Sequence, residues 1–254
     1  MYDPFSLKGR NIIITGASSG IGRECAVLCT MMGARVILIG RREDNLKEVL
    51  SQLHGTENLF YVQDITRYDK LETMVADAFT KNGPVDGFIH CAGIELTMPL
   101  TAMSHKHYEK LFSTNVIAGF ELARIISKKK YVSMTGASFI FISSVMGMVG
   151  DVALTAYCSS KGALLAGSRA MALELAAKKI RVNCISPAYI EDTEMTEKMF
   201  SEMSGENINI ILAKHPLGFG RREDVANGCI YLLSEASRWV TGTNLIIDGG
   251  YSAK

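Results

Sequence analysis

Asn11-Ile-Ile-Ile-Thr15 runs directly into Gly16-Ala-Ser-Ser-Gly-Ile-Gly22, and the fold turns on how that junction is read. The first five residues are too few for a helix, rich in isoleucine and closed by glycine. They read as a strand buried on both faces, as in parallel sheets. From Ile21 the period changes, and Ile21, Cys25, Leu28 and Met32 fall on one face of a helix. Glycines at 16, 20 and 22 permit a tight turn, close approach of backbone to phosphate, and close packing of helix on strand. The helix start offers N–H groups and a partial positive charge to a pyrophosphate. The spacing is Gly-x-x-x-Gly-x-Gly rather than Gly-x-Gly-x-x-Gly. Taken alone, such a loop is also compatible with a plain tight turn.

The next apolar run, Arg35-Val-Ile-Leu-Ile39, ends in Gly40-Arg41-Arg42. An acid at this point of a βαβ unit binds the ribose 2′-hydroxyl, whereas arginine suits a 2′-phosphate. Gly40 stands where the acid is expected, and two planar guanidinium groups follow. The pair favours NADP(H) over NAD(H). It also reads as solvated charge at a helix start, beside Glu43 and Asp44.

Past the middle of the chain, Ala137-Ser-Phe-Ile-Phe-Ile142 reads as a buried strand leading into Ser143-Ser144-Val-Met-Gly147. An alanine- and leucine-rich helix is predicted over 155–178. Tyr157 and Lys161 are four apart and so share a helical face. An ammonium near a phenol favours the phenolate and should bring the tyrosine pKa down. Tyr157 then becomes a general acid for reduction of a carbonyl and a base in reverse. Ser144, at the neighbouring strand end, is placed to hold the reacting oxygen. Tyr-x-x-x-Lys alone also marks ordinary surface pairs. Here it is joined to Ser144 and to a nucleotide loop.

In this order the motifs resemble the short-chain dehydrogenase/reductase family over essentially the whole chain, from Thr15-Gly16 to Asp248-Gly249-Gly250. In length and motif set they are most similar to its 3-oxoacyl-carrier-protein reductases. The resemblance implies one Rossmann-like, doubly wound α/β domain over 1–254, with a substrate lid at about 190–218. It names Ser144, Tyr157 and Lys161 as catalytic, and Asn115, in Ser113-Thr-Asn-Val116, as the fourth member, holding a water that relays protons to Lys161. Lys161 would also bond the nicotinamide ribose. The implied cofactor contacts are Gly16, Ser18, Ser19, Gly20, Ile21, Gly22, Arg41, Arg42, Asp64, Ile65, Cys91, Ala92, Gly93, Tyr157, Lys161, Pro187, Ala188, Ile190 and Thr193, with no metal. Asp64 resembles the aspartate that contacts adenine, although it also lies in a helix N-cap region that Thr66 could fill.

Three departures from the family pattern stand out. His90-Cys-Ala-Gly93 replaces Asn-Asn-Ala-Gly, and Pro187-Ala188 replaces Pro-Gly, where alanine is disfavoured if φ must be positive. The threonine expected five residues after that proline comes at six, as Thr193, with Asp192 in its place.

Strand candidates near 11, 35, 58, 86, 137, 181 and 244 alternate with helical stretches, which implies about seven parallel strands covered on both faces. The 254 residues, 48% hydrophobic, can bury a substantial core. A net charge of +1 provides no bulk field for nucleic acid or membrane. Residues 1–10 lack the apolar centre of a secretory signal, and no apolar run is long enough to span a bilayer. The six cysteines, at 25, 29, 91, 158, 184 and 229, are scattered in apolar segments. They read as small buried thiols in a reducing cytoplasm. His105-x-His107 lacks further ligands at metal spacing and reads as surface histidine.

For substrate, the resemblance favours a 3-oxoacyl thioester, possibly on an acyl carrier protein. Lys178, Lys179 and Lys128-Lys129-Lys130 are either helix-end charges or a basic rim for an acidic carrier, and the former is preferred. Met195, Met199 and Met203 are either adaptable substrate contacts or the buried face of the lid. A sugar, polyol or cyclic-alcohol dehydrogenase is the alternative, and a catalytically silent dinucleotide sensor is the alternative of another class. Family likeness implies a homotetramer through helices at about 105–130 and 155–178.

Overall fold

A computed structural model describes residues 3–253; Met1, Tyr2 and Lys254, the ends of the predicted domain and part of the leader reading, lie outside them. The strands are β1 (Asn11–Thr15), β2 (Arg35–Gly40), β3 (Leu59–Val62), β4 (Gly87–His90), β5 (Ala137–Ile142), β6 (Ile180–Pro187) and β7 (Asn244–Ile247). They form one sheet in the order β3-β2-β1-β4-β5-β6-β7, every pair parallel. The order reverses beside β1, and in such sheets ligands bind at the carboxyl ends of strands flanking that switch.

Between the strands lie α1 (Gly20–Met31), α2 (Glu43–Ser51), α3 (Tyr68–Asn82), α4 (His105–Phe112), α5 (Ala118–Ile126), α6 (Thr155–Leu175), α7 (Glu194–Ser201), α8 (Gly205–Ala213) and α9 (Arg222–Leu233). The isoleucine-rich strands are explained by burial on two sides. Ile13, Ile37, Phe88, Phe139 and Val182 belong to one core with α3, α5 and α6. Their strand neighbours Ile12, Ile14, Val36, Leu38, Ile89 and Ile140 belong to the opposite core with α1 and α9. That alternation is the two-residue period of a pleated strand.

The helix expected over 105–130 is interrupted. α4 and α5 are joined by a π-turn over Ser113–Ile117. A π-turn carries an extra residue, which re-aims side chains and is common at functional sites. Lys128 and Lys130 pair with Glu72 at 2.6 and 3.1 Å, and Lys178 donates to the Ser127 carbonyl at 3.0 Å. All three, with Lys179, precede β5 or β6 and so lie at the amino end of the sheet. Six-residue strands put them about 20 Å from the carboxyl edge. No helix among the described residues is long and apolar enough to cross a membrane.

Candidate active site

The β1–α1 turn meets the requirements of a phosphate loop through close contact. Gly16 has φ +66°, and a Cβ there would lie 2.8 Å from the Ala92 nitrogen. A Cβ on Gly22 would lie 2.3 Å from the Gly16 carbonyl oxygen. Side chains are thus excluded from the floor of a cleft of about 1140 Å³. Gly16, Ser18, Ser19, Gly20, Ile21, Gly22, Arg41, Arg42, Asp64, Ile65, Cys91, Ala92, Gly93 and Thr193 all line it. A bare-backbone cradle at a helix start, with arginines at one end, fits a dinucleotide.

Arg42 donates to Ser19 Oγ at 3.0 Å and pairs with Glu194 at 2.8 Å. Arg41 is exposed on the cleft wall. Asp64 accepts from the N–H and hydroxyl of Thr66 at 2.9 and 2.8 Å. These bonds, and then the Arg41 charge, hold its carboxyl below the ordinary aspartate value. Asp64 therefore anchors a turn and also lines the cleft.

Of the remaining expected contacts, Pro187 ends β6, and Ala188 packs against the cluster holding Tyr157. Ala188 does not have positive φ; that conformation falls on Asp192, φ 59°. Taking one residue in the left-handed region moves Thr193 to the start of α7. There it caps the helix and lies 3.7 Å from a Cβ position on Gly20. The shifted threonine thus reaches the loop. Ile190 points into the opposite core instead, and its side chain is 5% exposed.

At the carboxyl edge of β4 and β5, four side chains converge. The π-turn delivers Asn115, fully buried, whose Nδ2 donates to Ile94 O and Ser160 Oγ, both at 3.0 Å. Its Oδ1 accepts from Ile94 N–H at 2.8 Å. Ser144 begins the short turn after β5 and accepts from Met146 N–H at 3.2 Å. Lys161 donates to Ile142 O at 2.9 Å, with its Nζ 5.6 Å from the Tyr157 ring centre. A Cβ on Gly93 would be 3.4 Å from that Nζ and 3.5 Å from Asn115 Oδ1, so the loop after β4 closes the group.

The electrostatics differ from the sequence expectation. Tyr157 is held above the ordinary tyrosine value, by burial first and the Glu95 charge second; the Ser144 hydrogen bond pulls the other way. Burial pushes Lys161 down to about 8. Removal from water and the Glu95 charge outweigh Ser144 for the phenol.

Comparisons with known proteins agree with this geometry. Residues 16–252 match a family model described as Enoyl-(Acyl carrier protein) reductase. The chain is 32% identical to an NAD-dependent glycerol dehydrogenase of Listeria innocua, covering 98% of this chain and 96% of that one. It is 33% identical to a 3-oxoacyl-[acyl-carrier-protein] reductase of Thermotoga maritima, covering 96% and 98%. A short-chain type dehydrogenase/reductase from Mycobacterium marinum superposes with a TM-score of 0.88 at 31% identity, over 99% and 98% of the two chains. The chain belongs to the short-chain dehydrogenase/reductase family. It is accordingly an oxidoreductase acting on CH–OH and carbonyl groups with NAD(P)(H).

Within this short-chain dehydrogenase/reductase, His90 has an identifiable task. Its Nε2 lies 3.2 Å from the Asn115 carbonyl, which can only accept, so Nε2 carries the proton. Nδ1 then accepts from Thr15 Oγ1 at 2.9 Å, and Thr15 Oγ1 accepts from Ala92 N–H at 3.2 Å. The imidazole joins the end of β1 to the π-turn, and Gly119 makes room for it, since a Cβ there would lie 2.6 Å from His90 Cδ2.

Burial, then the Lys161 charge, lowers His90 to about 4. The unfolded chain takes up this proton near pH 6.5 and the folded chain only near pH 4. The contribution to stability is complete above the higher value and lost as pH falls through the lower. Urea unfolding should show wild type losing about 2 kcal/mol between about pH 7 and pH 5 that His90→Asn does not lose. Equal losses in the two proteins would mean that His90 is not held neutral.

Sequence reasoning missed Glu95, Thr97, Tyr189 and Tyr251, which line a second cavity of about 140 Å³ beside the cleft. An acid between Ile94 and Leu96 was the available signal for the first of them.

Proposed function

We propose that the protein is an NADP(H)-dependent carbonyl reductase with Tyr157 as general acid. The convergence of Asn115, Ser144, Tyr157 and Lys161 beside the dinucleotide cleft carries this reading. A bound nicotinamide supplies the hydride for the carbonyl carbon. Ser144 orients the carbonyl oxygen, and the Tyr157 hydroxyl gives that oxygen its proton as the carbon–oxygen double bond opens. Lys161 favours the resulting phenolate by charge, and Asn115 holds the path by which a proton returns. The reverse sequence oxidises an alcohol.

Arg41 and Arg42 support the choice of NADP(H). Arg41→Ala should lower the ratio of kcat/KM for NADPH over NADH about 10–100-fold, the worth of one charge-assisted phosphate contact. An unchanged ratio from initial rates with each nucleotide would remove Arg41 from cofactor choice.

For the acceptor, the Thermotoga relative and the methionines of α7 support a 3-oxoacyl thioester. The Listeria relative and the Glu95, Thr97 and Asp151 side of the smaller cavity, which faces Val152, Leu154, Met199, Met203 and Ile211, support a hydroxylated ketone. The basic-rim argument for a carrier protein loses its force because those lysines lie at the other end of the sheet. A small polar ketone is therefore the acceptor we favour. A homotetramer through α5 and α6 finds support in the exposed Ala166, Ala170 and Leu173 of α6.

A further inference from the structure

Glu95 has no part in the proton transfer above, yet it sits at the junction of the two cavities and lines both. Its position is fixed by the candidate tetrad. The Ile94 N–H and carbonyl beside it are both gripped by the Asn115 amide, at 2.8 and 3.0 Å. A second clamp, Met98 N–H donating to Ala153 O at 2.8 Å, ties this loop to the one that follows Ser144. The smaller cavity is walled by Leu154 and Tyr251, which pack in the same apolar cluster as Tyr157. Glu95 and Tyr189 of that cavity both act electrostatically on the Tyr157 phenol.

The Glu95 carboxyl is half-buried, and burial raises its pKa above the ordinary glutamate value. Thr97 Oγ1 donates to it at 3.2 Å. A carboxylate has about four acceptor positions, and one hydroxyl occupies one of them. An acyl chain placed here would dry the carboxylate without offering a donor, which is costly. Asp151 and Lys214, one charge of each sign, line the same cavity. A hydroxyl-bearing ligand both fits and partners the acid. The volume, about 140 Å³, holds on the order of five water-sized groups, so the ligand is small.

We propose that Glu95 is the specificity-determining residue of this site: it accepts a hydrogen bond from a hydroxyl on the carbon next to the reacting carbonyl, so the substrates are small α-hydroxyketones and, in reverse, vicinal diols. The inference rests on the carbonyl-reductase reading given above.

The test is a pair of acceptors, hydroxyacetone and acetone, reduced with NADPH by wild type, Glu95→Gln and Glu95→Leu, with an acetoacetyl thioester as a third acceptor. The adjacent hydroxyl also changes intrinsic carbonyl reactivity, but that difference is the same for all three proteins and cancels. The hydroxyacetone-to-acetone ratio of kcat/KM should fall about 10–100-fold in Glu95→Leu, with Glu95→Gln between. A fall shared equally by both ketones in both variants would make Glu95 a loop support and overturn the assignment. Turnover of the thioester by wild type, with a ketone ratio that Glu95→Gln and Glu95→Leu leave unmoved, would keep the reductase reading and overturn this one. No NADPH oxidation with any of the three acceptors would overturn both.

Discussion

Tyr157→Phe should lower kcat for carbonyl reduction about 10²–10⁴-fold, the range expected for removal of a positioned general acid, while NADPH binding persists. Phenylalanine preserves the ring that packs among Leu111, Val145, Met146 and Leu154, so the fold should be nearly unaffected. What disappears is the hydroxyl, and with it the hydrogen bond to Ser144. Burial and the Glu95 charge raise the pKa of this phenol, which makes it a weaker acid that depends on the Lys161 charge as the proton leaves. A phenol held neutral by burial has its proton in place to give, which is the requirement for reduction. Stopped-flow turnover together with melting in the presence of NADPH separates the two effects. A variant that turns over at the wild-type rate would end the role proposed for Tyr157. A variant that also melts at a lower temperature without NADPH would make it structural.

Gly22→Ala should nearly abolish dinucleotide binding and cost about 3 kcal/mol or more of stability. The added methyl would lie 2.3 Å from the Gly16 carbonyl oxygen and 3.2 Å from Ala17 Cα. These are backbone atoms of the phosphate loop and have no rotamer by which to move aside. The loop must deform, and the cradle deforms with it. Gly205→Ala is the control, since a Cβ there meets nothing within 4 Å; in α8 it should stabilise by a few tenths of a kcal/mol. NADPH titration and urea unfolding of both variants check this. A Gly22→Ala protein with normal binding would show that close packing at α1 is not what shapes the cleft.

Much of this architecture was legible in the chain because it depends on local rules. Buried strands need consecutive apolar residues, and Asn11–Thr15, Arg35–Gly40 and Ala137–Ile142 supply them. The turn after β1 needs glycine where a Cβ has no space. Tyr157 and Lys161 needed only a helical period to be placed together. The unforeseen features depend on contacts distant in sequence. The π-turn at Ser113–Ile117 leaves no pattern in a short polar segment, and its role follows from Asn115 and His90 meeting across 25 positions. The sense of the Tyr157 shift required knowing how completely the ring is buried. Asp192 absorbs the extra residue before Thr193 by taking positive φ, which spacing alone could not assign. Glu95 is not legible in the chain because an acid in an apolar stretch acquires meaning only when the wall shared by the two cavities is assembled.

Isotope transfer shows whether these residues reduce a carbonyl with NADPH. The protein would be incubated with NADPH deuterated at the transferable position of nicotinamide C4 and with hydroxyacetone, and the product analysed by mass spectrometry. One deuterium on the new carbinol carbon, formed by wild type and missing with Tyr157→Phe, is the predicted result. NADPH bound to the protein with no deuterated alcohol, from hydroxyacetone or from an acetoacetyl thioester, would contradict it and leave a dinucleotide-binding protein without this chemistry.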